Sequence, residues 1–273
     1  GCSRTADALV ATAVLNHHQR AGAVIHRLRR QQADGWRLKC KPVCASTELE
    51  LSQWLQSVPW RGERPRAVLA DHQTKGQGQR GRRWEAARGG VWISAALPWD
   101  SSSGHADMLG LMVALSLSER LERKGLPVRI KWPNDLLIDS RKLAGLLPRL
   151  VFRGGRLRMV RIGVGMNVAN PVPVGAIALR DLLPRGCARR DVWTVEVLRA
   201  LERIQTLANR PELVRREIEK RLWTNQVKDP QSGEIWEIQG LALNGALQLC
   251  QGARSASWTR WPNGNHDNLY NLA

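Results

Sequence analysis

The sequence predicts an α+β fold: helices packed on a mixed or antiparallel sheet, with a small all-β segment at the end of the chain. Three observations carry this expectation. Asp107 to Lys124 is an amphipathic run, with Met108, Leu111, Met112 and Leu115 as its core face, Asp107 as its cap, and Gly125 and Pro127 as its stop. Val128–Trp132, Leu136–Ile138, Lys142–Phe152 and Leu157–Val168 then read as consecutive strands. Turn signals at Pro133–Asn134, Asp139–Ser140 and Gly154–Gly155 separate them, which is the pattern of a meander. Beyond Trp223 the texture changes to short alternating pieces, W-E-I-Q-G and G-A-L-Q-L. Asp229–Pro230, Gly233 and the hairpin pair Asn244–Gly245 break them up.

The remaining elements follow in order. Ala21 to Gln31 is expected to be helical, ending near Asp34–Gly35, and Trp36 to Cys40 alternates as a strand. Ser46 opens S-T-E-L-E-L-S-Q-W-L, where its hydroxyl suits a helix N-cap before an amphipathic run through Leu55. Arg66 to Ala70 is a short apolar strand, and Val91 to Leu97 a buried one. Two more helices are expected over Val192–Asn209 and Glu212–Trp223. Pro148 falls inside the third meander strand and donates no ladder hydrogen bond, which predicts an edge or a bulge there.

Composition bounds the function classes. With 273 residues and 43% hydrophobic content the chain is long enough to bury a substantial core. No apolar run reaches the ~18–20 residues of a bilayer span. Ala8–Leu15 is short, preceded by Asp7 and interrupted by Thr12, which argues against a cleaved signal. Five cysteines at scattered spacings form neither a disulfide framework nor a Cys-x-x-Cys metal site, so reduced thiols in the cytoplasm are expected. His17–His18 lack metal-ligand spacing, and no protein metal site is expected. A net charge of +18 implies attraction to an anion: a nucleotide, nucleic acid or an acidic protein. Its arginines are spread out, with short clusters only at Arg27–Arg30 and Arg80–Arg83, which disfavours a dedicated nucleic-acid surface. Twelve tryptophans stand against one phenylalanine and one tyrosine, as though tryptophan fills the core positions of other aromatics.

Two segments carry chemistry. G-Q-G-Q-R-G-R-R-W (Gly76–Trp84) supplies three glycines whose backbone can approach a ligand and three arginines able to donate to phosphate or carboxylate oxygens. It lacks the Lys-Ser/Thr of a Walker loop, and by spacing alone it is equally a mobile basic surface loop. K-W-P-N-D-L-L-I-D-S-R-K-L-A-G (Lys131–Gly145) turns at Pro133–Asn134 and again before Lys142, which brings Lys131, Asp135 and Lys142 towards one sheet edge. Read alone, it is also an ordinary hairpin with a solvated lysine. Arg161–Val168, R-I-G-V-G-M-N-V, is a strand whose glycines mark a close approach by another group, with packing as the plainer reason.

The Ser46–Thr47 pair, the segment A-D-H-Q through Trp84, and K-W-P-N-D with R-K-L-A-G, in this order, resemble the biotin protein ligases. The resemblance runs from Trp36 to Phe152, extends well over Leu157–Val168 and weakens through the later helices. It implies a class II synthetase-like catalytic domain and, from Gly240–Leu249, a C-terminal SH3-like barrel. Domain limits are then expected at 1–30 (an extension), 31–224 (catalytic) and 225–273 (SH3-like). It further implies that Ser46 and Thr47 bind the biotin head group, and that Gln73, Gly76, Gly78 and Arg80 lie near biotin or its adenylate. Arg82, Arg83 and Trp84 belong to the same loop, Gly145 joins the binding set, and Asn167 reads the adenine. Lys131 is either a nucleotide contact or a structural partner to a carboxylate, and Asn134 stands with Asp135 where the acceptor amine arrives. Lys142 becomes the central lysine, contacting the biotin carboxylate and the α-phosphate, and Asp135 receives the acceptor amine.

One departure stands out. The family usually has G-R-G-R where this chain has Gln77 and Gln79, and glutamine cannot neutralise a phosphate. The implied reaction is ATP-dependent formation of biotinyl-5′-adenylate, with Mg²⁺ as the polyphosphate's counter-ion. Biotin then passes to a lysine of the biotin carboxyl carrier domain of acetyl-CoA carboxylase. A homodimer is compatible with this reading. Only 35 residues precede the family-like region, fewer than the ~55 an independent domain usually needs, so no sequence-specific DNA binding is expected. The rivals are a lipoate ligase or octanoyltransferase of the same fold, and a basic nucleic-acid-binding regulator without catalysis.

Overall fold

The computed structural model describes residues 22–30, 35–59, 64–99 and 106–262. Its elements run α1 (22–30), β1 (Arg37–Lys41), α2 (Thr47–Ser57), β2 (Arg66–Ala70), β3 (Gln73–Gln77), β4 (Arg83–Ala86) and β5 (Val91–Pro98). Then come α3 (Leu109–Glu122), β6 (Arg129–Lys131), β7 (Asp135–Ile138), β8 (Arg141–Arg153), β9 (Arg156–Met166) and α4 (Arg190–Glu202). The last are α5 (Ile204–Ala208), α6 (Pro211–Glu219), β10 (Gln226–Lys228), β11 (Ile235–Leu241), β12 (Leu247–Gln251) and β13 (Arg254–Trp258). The chain divides into two compact units, Gly1–Asp100 with Leu143–Arg199, and Ser101–Lys142 with Ala200–Ala273.

In the first unit β1 runs parallel to β2, while β2–β5, β5–β9 and β9–β8 pair antiparallel. β2 and β5 are buried along almost their whole length, which is why they read as continuous apolar runs rather than alternating ones. α2 lies on this sheet through Leu51 and Trp54, which pack on Val68 and Ala96. Ser46 caps the helix as expected, its Oγ accepting from the Glu48 N–H at 3.2 Å. The other end is held by Arg66, buried in β2, which donates to the carbonyls of Val58 (3.0 Å) and Pro59 (3.1 Å) and lies over the Trp54 ring. Pro148, on β8, pairs with Ile162 of β9, and the irregularity in that pairing falls further along, between Val151 and Phe152.

In the second unit β6 and β7 form a hairpin, and β10–β13 form an antiparallel sheet in sequential order. α3 is buried along nearly its full length, from Leu109 to Leu121. The expected Asp107 cap is not used: a 3₁₀ turn over Ala106–Met108 precedes α3, and Met108 occupies the cap position without a side-chain bond. Burial of the apolar first turn, rather than a cap, sets where this helix starts. The expected single helix over Val192–Asn209 breaks at Arg203 into α4 and α5, and α6 stops at Glu219 rather than Trp223. From Arg221 to Trp223 the backbone instead bonds β6, with Ile130 N–H donating to Arg221 and Trp223 N–H donating to Ile130. The terminal sheet is open among the described residues, so closure into a barrel goes beyond it.

The tryptophans do fill core positions. Trp36, Trp54, Trp92, Trp99, Trp132, Trp193, Trp236 and Trp261 are buried. Trp132 donates from Nε1 to the Gly245 carbonyl at 2.9 Å and meets Trp261 edge-on at 5.4 Å.

The end of α6 is tied to the end of α3. Arg221 is bidentate on Glu122 (2.7 and 2.8 Å) and also reaches Glu217. Hydrogen bonds from Lys220 and then Arg221 hold the Glu217 carboxyl down to about 2, against an ordinary 4.5. A depressed carboxylate pKa contributes stability that is fully present above the unfolded value and lost as pH falls through the folded one. Thermal melts of Glu217→Gln are therefore expected to show a weaker acid dependence than wild type between pH 4.5 and 2. Parallel curves would show that the pair does not stabilise the fold.

Candidate active site

In the first unit, residues far apart in sequence converge at the start of α2. β3 begins beside the segment just before the helix: Thr74 N–H donates to Cys44 at 3.0 Å and Lys75 N–H to Ala45 at 2.8 Å. That pairing sets Gln73 against the first helical residue. Thr47 donates to Gln73 Oε1 from both its backbone N–H (2.7 Å) and its Oγ1 (3.0 Å), and Oγ1 also meets Ser94 Oγ at 2.8 Å. With the hydroxyl proton of Thr47 on Gln73, Ser94 donates in turn to Thr47. The Gln73 carbonyl is then doubly occupied, which leaves the amide N–H₂ as the donor end of the side chain. Ser46 stands beside this network as the helix cap.

The segment Gly76–Trp84 is built as a hairpin. β3 and β4 pair at Gly76↔Trp84 and Gln77↔Arg83, joined by a 3₁₀ turn over Gln79–Gly81. Arg80 takes φ 56° and Gly81 φ 74°, so two successive residues are left-handed. A non-glycine residue there costs roughly 1–2 kcal/mol, the kind of local strain found at ligand clamps. Gly76 is required by space: a Cβ would stand 2.4 Å from the Trp84 carbonyl oxygen. Arg80, Arg82 and Arg83 are exposed, Gly78 is half-buried, and Gly78 N–H closes the turn on the Arg82 carbonyl at 2.8 Å.

Trp84 anchors the hairpin to the sheet. Its indole lies over Gly165 of β9, where a Cβ would come within 2.7 Å of the ring, and it meets Trp92 edge-on at 6.3 Å. This is the close approach that the glycines of Arg161–Val168 mark. Gly145 of β8 pairs opposite Gly165. Asn167 is buried just past β9; its Oδ1 accepts from Asn170 Nδ2 at 3.0 Å, and Asn170 Oδ1 accepts from Val168 N–H. Its amide is thereby oriented with the carbonyl turned inwards.

In the second unit the hairpin of β6 and β7 sets Lys131 opposite Asp135. Asn134 is buried in the turn, donating its N–H to the Lys131 carbonyl at 3.2 Å. Lys142 Nζ pairs with Asp135 Oδ2 at 2.8 Å, with side chains 36% and 20% exposed. Lys131 Nζ lies 6.0 Å from the centre of the Trp223 ring. Asp135 thus meets Lys142 directly and faces Lys131 only through the backbone register of the hairpin. The three polar groups expected at one edge are together.

Several neighbours were not singled out from the sequence. Ser94, the one polar residue of a buried apolar strand, is the signal that was legible. Glu48 and Arg161 form a half-hidden ion pair at 2.8 Å, and Arg161 also donates to the Glu48 carbonyl (3.1 Å) and Ser52 Oγ (2.7 Å). Burial pushes the Arg161 pKa down, Glu48 opposes that and Arg149 adds to it. Arg190, at the start of α4, pairs with buried Asp71 and donates to the carbonyls of Ala70 and Gly90. Among the described residues no three His, Cys, Asp or Glu side chains converge to hold a metal, and no helix is long and apolar enough to cross a membrane.

Residues 47–167 match the biotin/lipoate A/B protein ligase family. The chain is 39% identical over 103 residues to the bifunctional ligase/repressor BirA of Bacillus subtilis, covering 37% of this chain and 32% of that protein. It is 34% identical over 141 residues to BirA of Escherichia coli, covering 50% and 42%. To the biotin–[acetyl-CoA-carboxylase] ligase of Paracoccus denitrificans it is 32% identical over 132 residues, covering 47% and 52%. The chain thus spans only a third to a half of these relatives' lengths. Its fold is that of the Aquifex aeolicus biotin protein ligase solved with biotin and ATP, at a TM-score of 0.67 and 23% identity, over 82% of this chain and 96% of that one.

Proposed function

We propose, from the biotin/lipoate protein ligase domain that residues 47–167 carry, that this chain is a biotin–protein ligase. The observation that supports it best is the Lys142–Asp135 pair inside the K-W-P-N-D and K-L-A-G motifs. Bringing a carboxylate onto an α-phosphate sets two anions against each other, and a fixed ammonium offsets that repulsion as charge builds on the phosphoryl oxygens. Lys142 takes that role on the biotin carboxylate and ATP. The mixed anhydride biotinyl-5′-adenylate forms as pyrophosphate leaves. Lys142 exchanges Asp135 for the phosphoryl oxygens, and the freed carboxylate of Asp135, beside Asn134, receives the acceptor's ε-ammonium and takes its proton. The amine then attacks the acyl carbon, and AMP departs.

The other assignments follow the resemblance. Ser46, Thr47 and Gln73 hold the biotin head group. Gly76, Gly78, Arg80, Arg82, Arg83 and Trp84 cover the acyl-adenylate, with Arg80 donating to its phosphate. Lys131, Gly145 and Asn167 hold the nucleotide. Mg²⁺ accompanies the polyphosphate and neutralises its charge. The acceptor is the biotin carboxyl carrier domain of acetyl-CoA carboxylase, the enzyme that the name of the Paracoccus relative carries, met in the cytoplasm. We read β10–β13 as the core of an SH3-like domain after residue 224.

Pyrophosphate release from ATP tests the proposal, with biotin, lipoate or octanoate supplied in turn. Release with biotin alone is the expected result. Release with lipoate or octanoate and none with biotin would replace it with the related lipoyl or octanoyl chemistry. Gln77 and Gln79 give a second expectation. Gln79 sits in the turn beside Arg80, and an added guanidinium is worth roughly 1–2 kcal/mol on a phosphate. Gln79→Arg is therefore expected to slow release of the bound acyl-adenylate about tenfold in single-turnover chase experiments. Equal off-rates would remove the idea that this chain holds its intermediate loosely.

A further inference from the structure

We infer that Arg161 is a positioning residue for the head-group subsite, acting through the first turn of α2. The inference rests on the reading of Ser46, Thr47 and Gln73 as partners of biotin. Thr47 keeps three contacts at once, at 2.7 and 3.0 Å to Gln73 and 2.8 Å to Ser94. A shift of the helix start by a fraction of an ångström breaks at least one of them. Gln73 and Ser94 both belong to strands, so the helix is the part that must be placed.

Arg161 stands on β9, which is bordered by β5 and β8. From there a single guanidinium nitrogen meets the Glu48 carbonyl, the Glu48 carboxylate and Ser52 Oγ, three acceptors on the first turn and a half of α2. Glu48 is only 7% exposed. Its one other cation among the described residues is Arg149, at 3.9 Å. If Arg161 is removed, the buried carboxylate must find water, and the first turn has to lift from the sheet to provide it. That movement carries Thr47 away from Gln73. Arg66 provides a matched comparison in the same helix. It is also a buried strand arginine, yet it holds only the far end of α2, through the carbonyls of Val58 and Pro59.

The experiment measures biotin affinity, ATP affinity, melting temperature and Thr47 amide exchange in Arg161→Met and Arg66→Met. Arg161→Met is expected to weaken biotin by about tenfold or more and to speed Thr47 exchange, with ATP affinity little changed. Glu48→Gln added to Arg161→Met is expected to recover part of the loss, because no charge is then stranded. Arg66→Met is expected to lower the melting temperature while leaving biotin affinity within about twofold. Biotin affinity unchanged in Arg161→Met, or equally weakened in Arg66→Met, overturns the inference. If Arg161→Met does not fold, Ser52→Ala decides: a loss of about threefold supports the clamp, and none overturns it. If wild type binds no biotin, the ligase reading falls, while Thr47 exchange still reports whether Arg161 positions the turn.

Discussion

Lys142→Ala is expected to lower the rate of biotin-dependent pyrophosphate release by about 10²–10³, the usual effect of deleting one preorganised group that meets developing charge. Stability should barely change. Lys142 is 36% exposed and its bond to Asp135 is partly solvated, a class of pair worth about 0–1 kcal/mol. Activity and melting temperature should therefore separate cleanly. Lys142→Arg is expected to recover only part of the rate. Its planar fork keeps the charge but does not place it where the ammonium stood. An alanine variant with near-normal turnover would show that Lys142 is a solvated strand residue, and the proposed chemistry would lose its central group.

The second large effect is structural in origin. Gly165→Val places a branched side chain where even a Cβ would lie 2.7–2.9 Å from the Trp84 indole. A ring wedged against Trp92 cannot simply rotate away, so the β3–β4 hairpin has to move. Overpacking of this kind costs about 1–3 kcal/mol. Displacing the segment proposed to cover the substrate is expected to weaken the acyl-adenylate by at least about tenfold as well. Trp84→Ala in the same chain should restore stability relative to Gly165→Val alone, because the two changes meet at one contact. Strictly additive losses would mean that the ring does not rest on Gly165.

These two positions also show what the sequence discloses and what it withholds. The glycines of R-I-G-V-G-M-N-V announce a close approach, yet nothing local names Trp84 as the group that arrives. That partner comes from another strand, and its role depends on the hairpin that carries it. The hairpin itself was hidden because Q-T-K-G-Q has no apolar residue to alternate; its pairing rests on backbone bonds and on Gly76 fitting under Trp84. α2 was legible at its start because a capping serine is a local device, satisfied within three residues. The start of α3 was not, since Asp107 offers the same device and burial of Met108 and Leu109 overrides it. Ser46, Thr47 and Gln73 were readable as site residues only through resemblance. Thr47 and Gln73 are joined by one side-chain amide accepting two bonds, a contact between segments that no spacing rule predicts. Arg161 left no trace at all, because a charged residue in a strand reads as solvent-facing until its partner on a helix is seen.

A crystal structure with a non-hydrolysable biotinyl-adenylate analogue tests the central claim most directly. The account predicts that Lys142 Nζ leaves Asp135 and stands within hydrogen-bonding distance of the oxygens that replace the α-phosphate. An analogue bound with Lys142 still on Asp135, and no nitrogen of that side chain in reach of those oxygens, would contradict it.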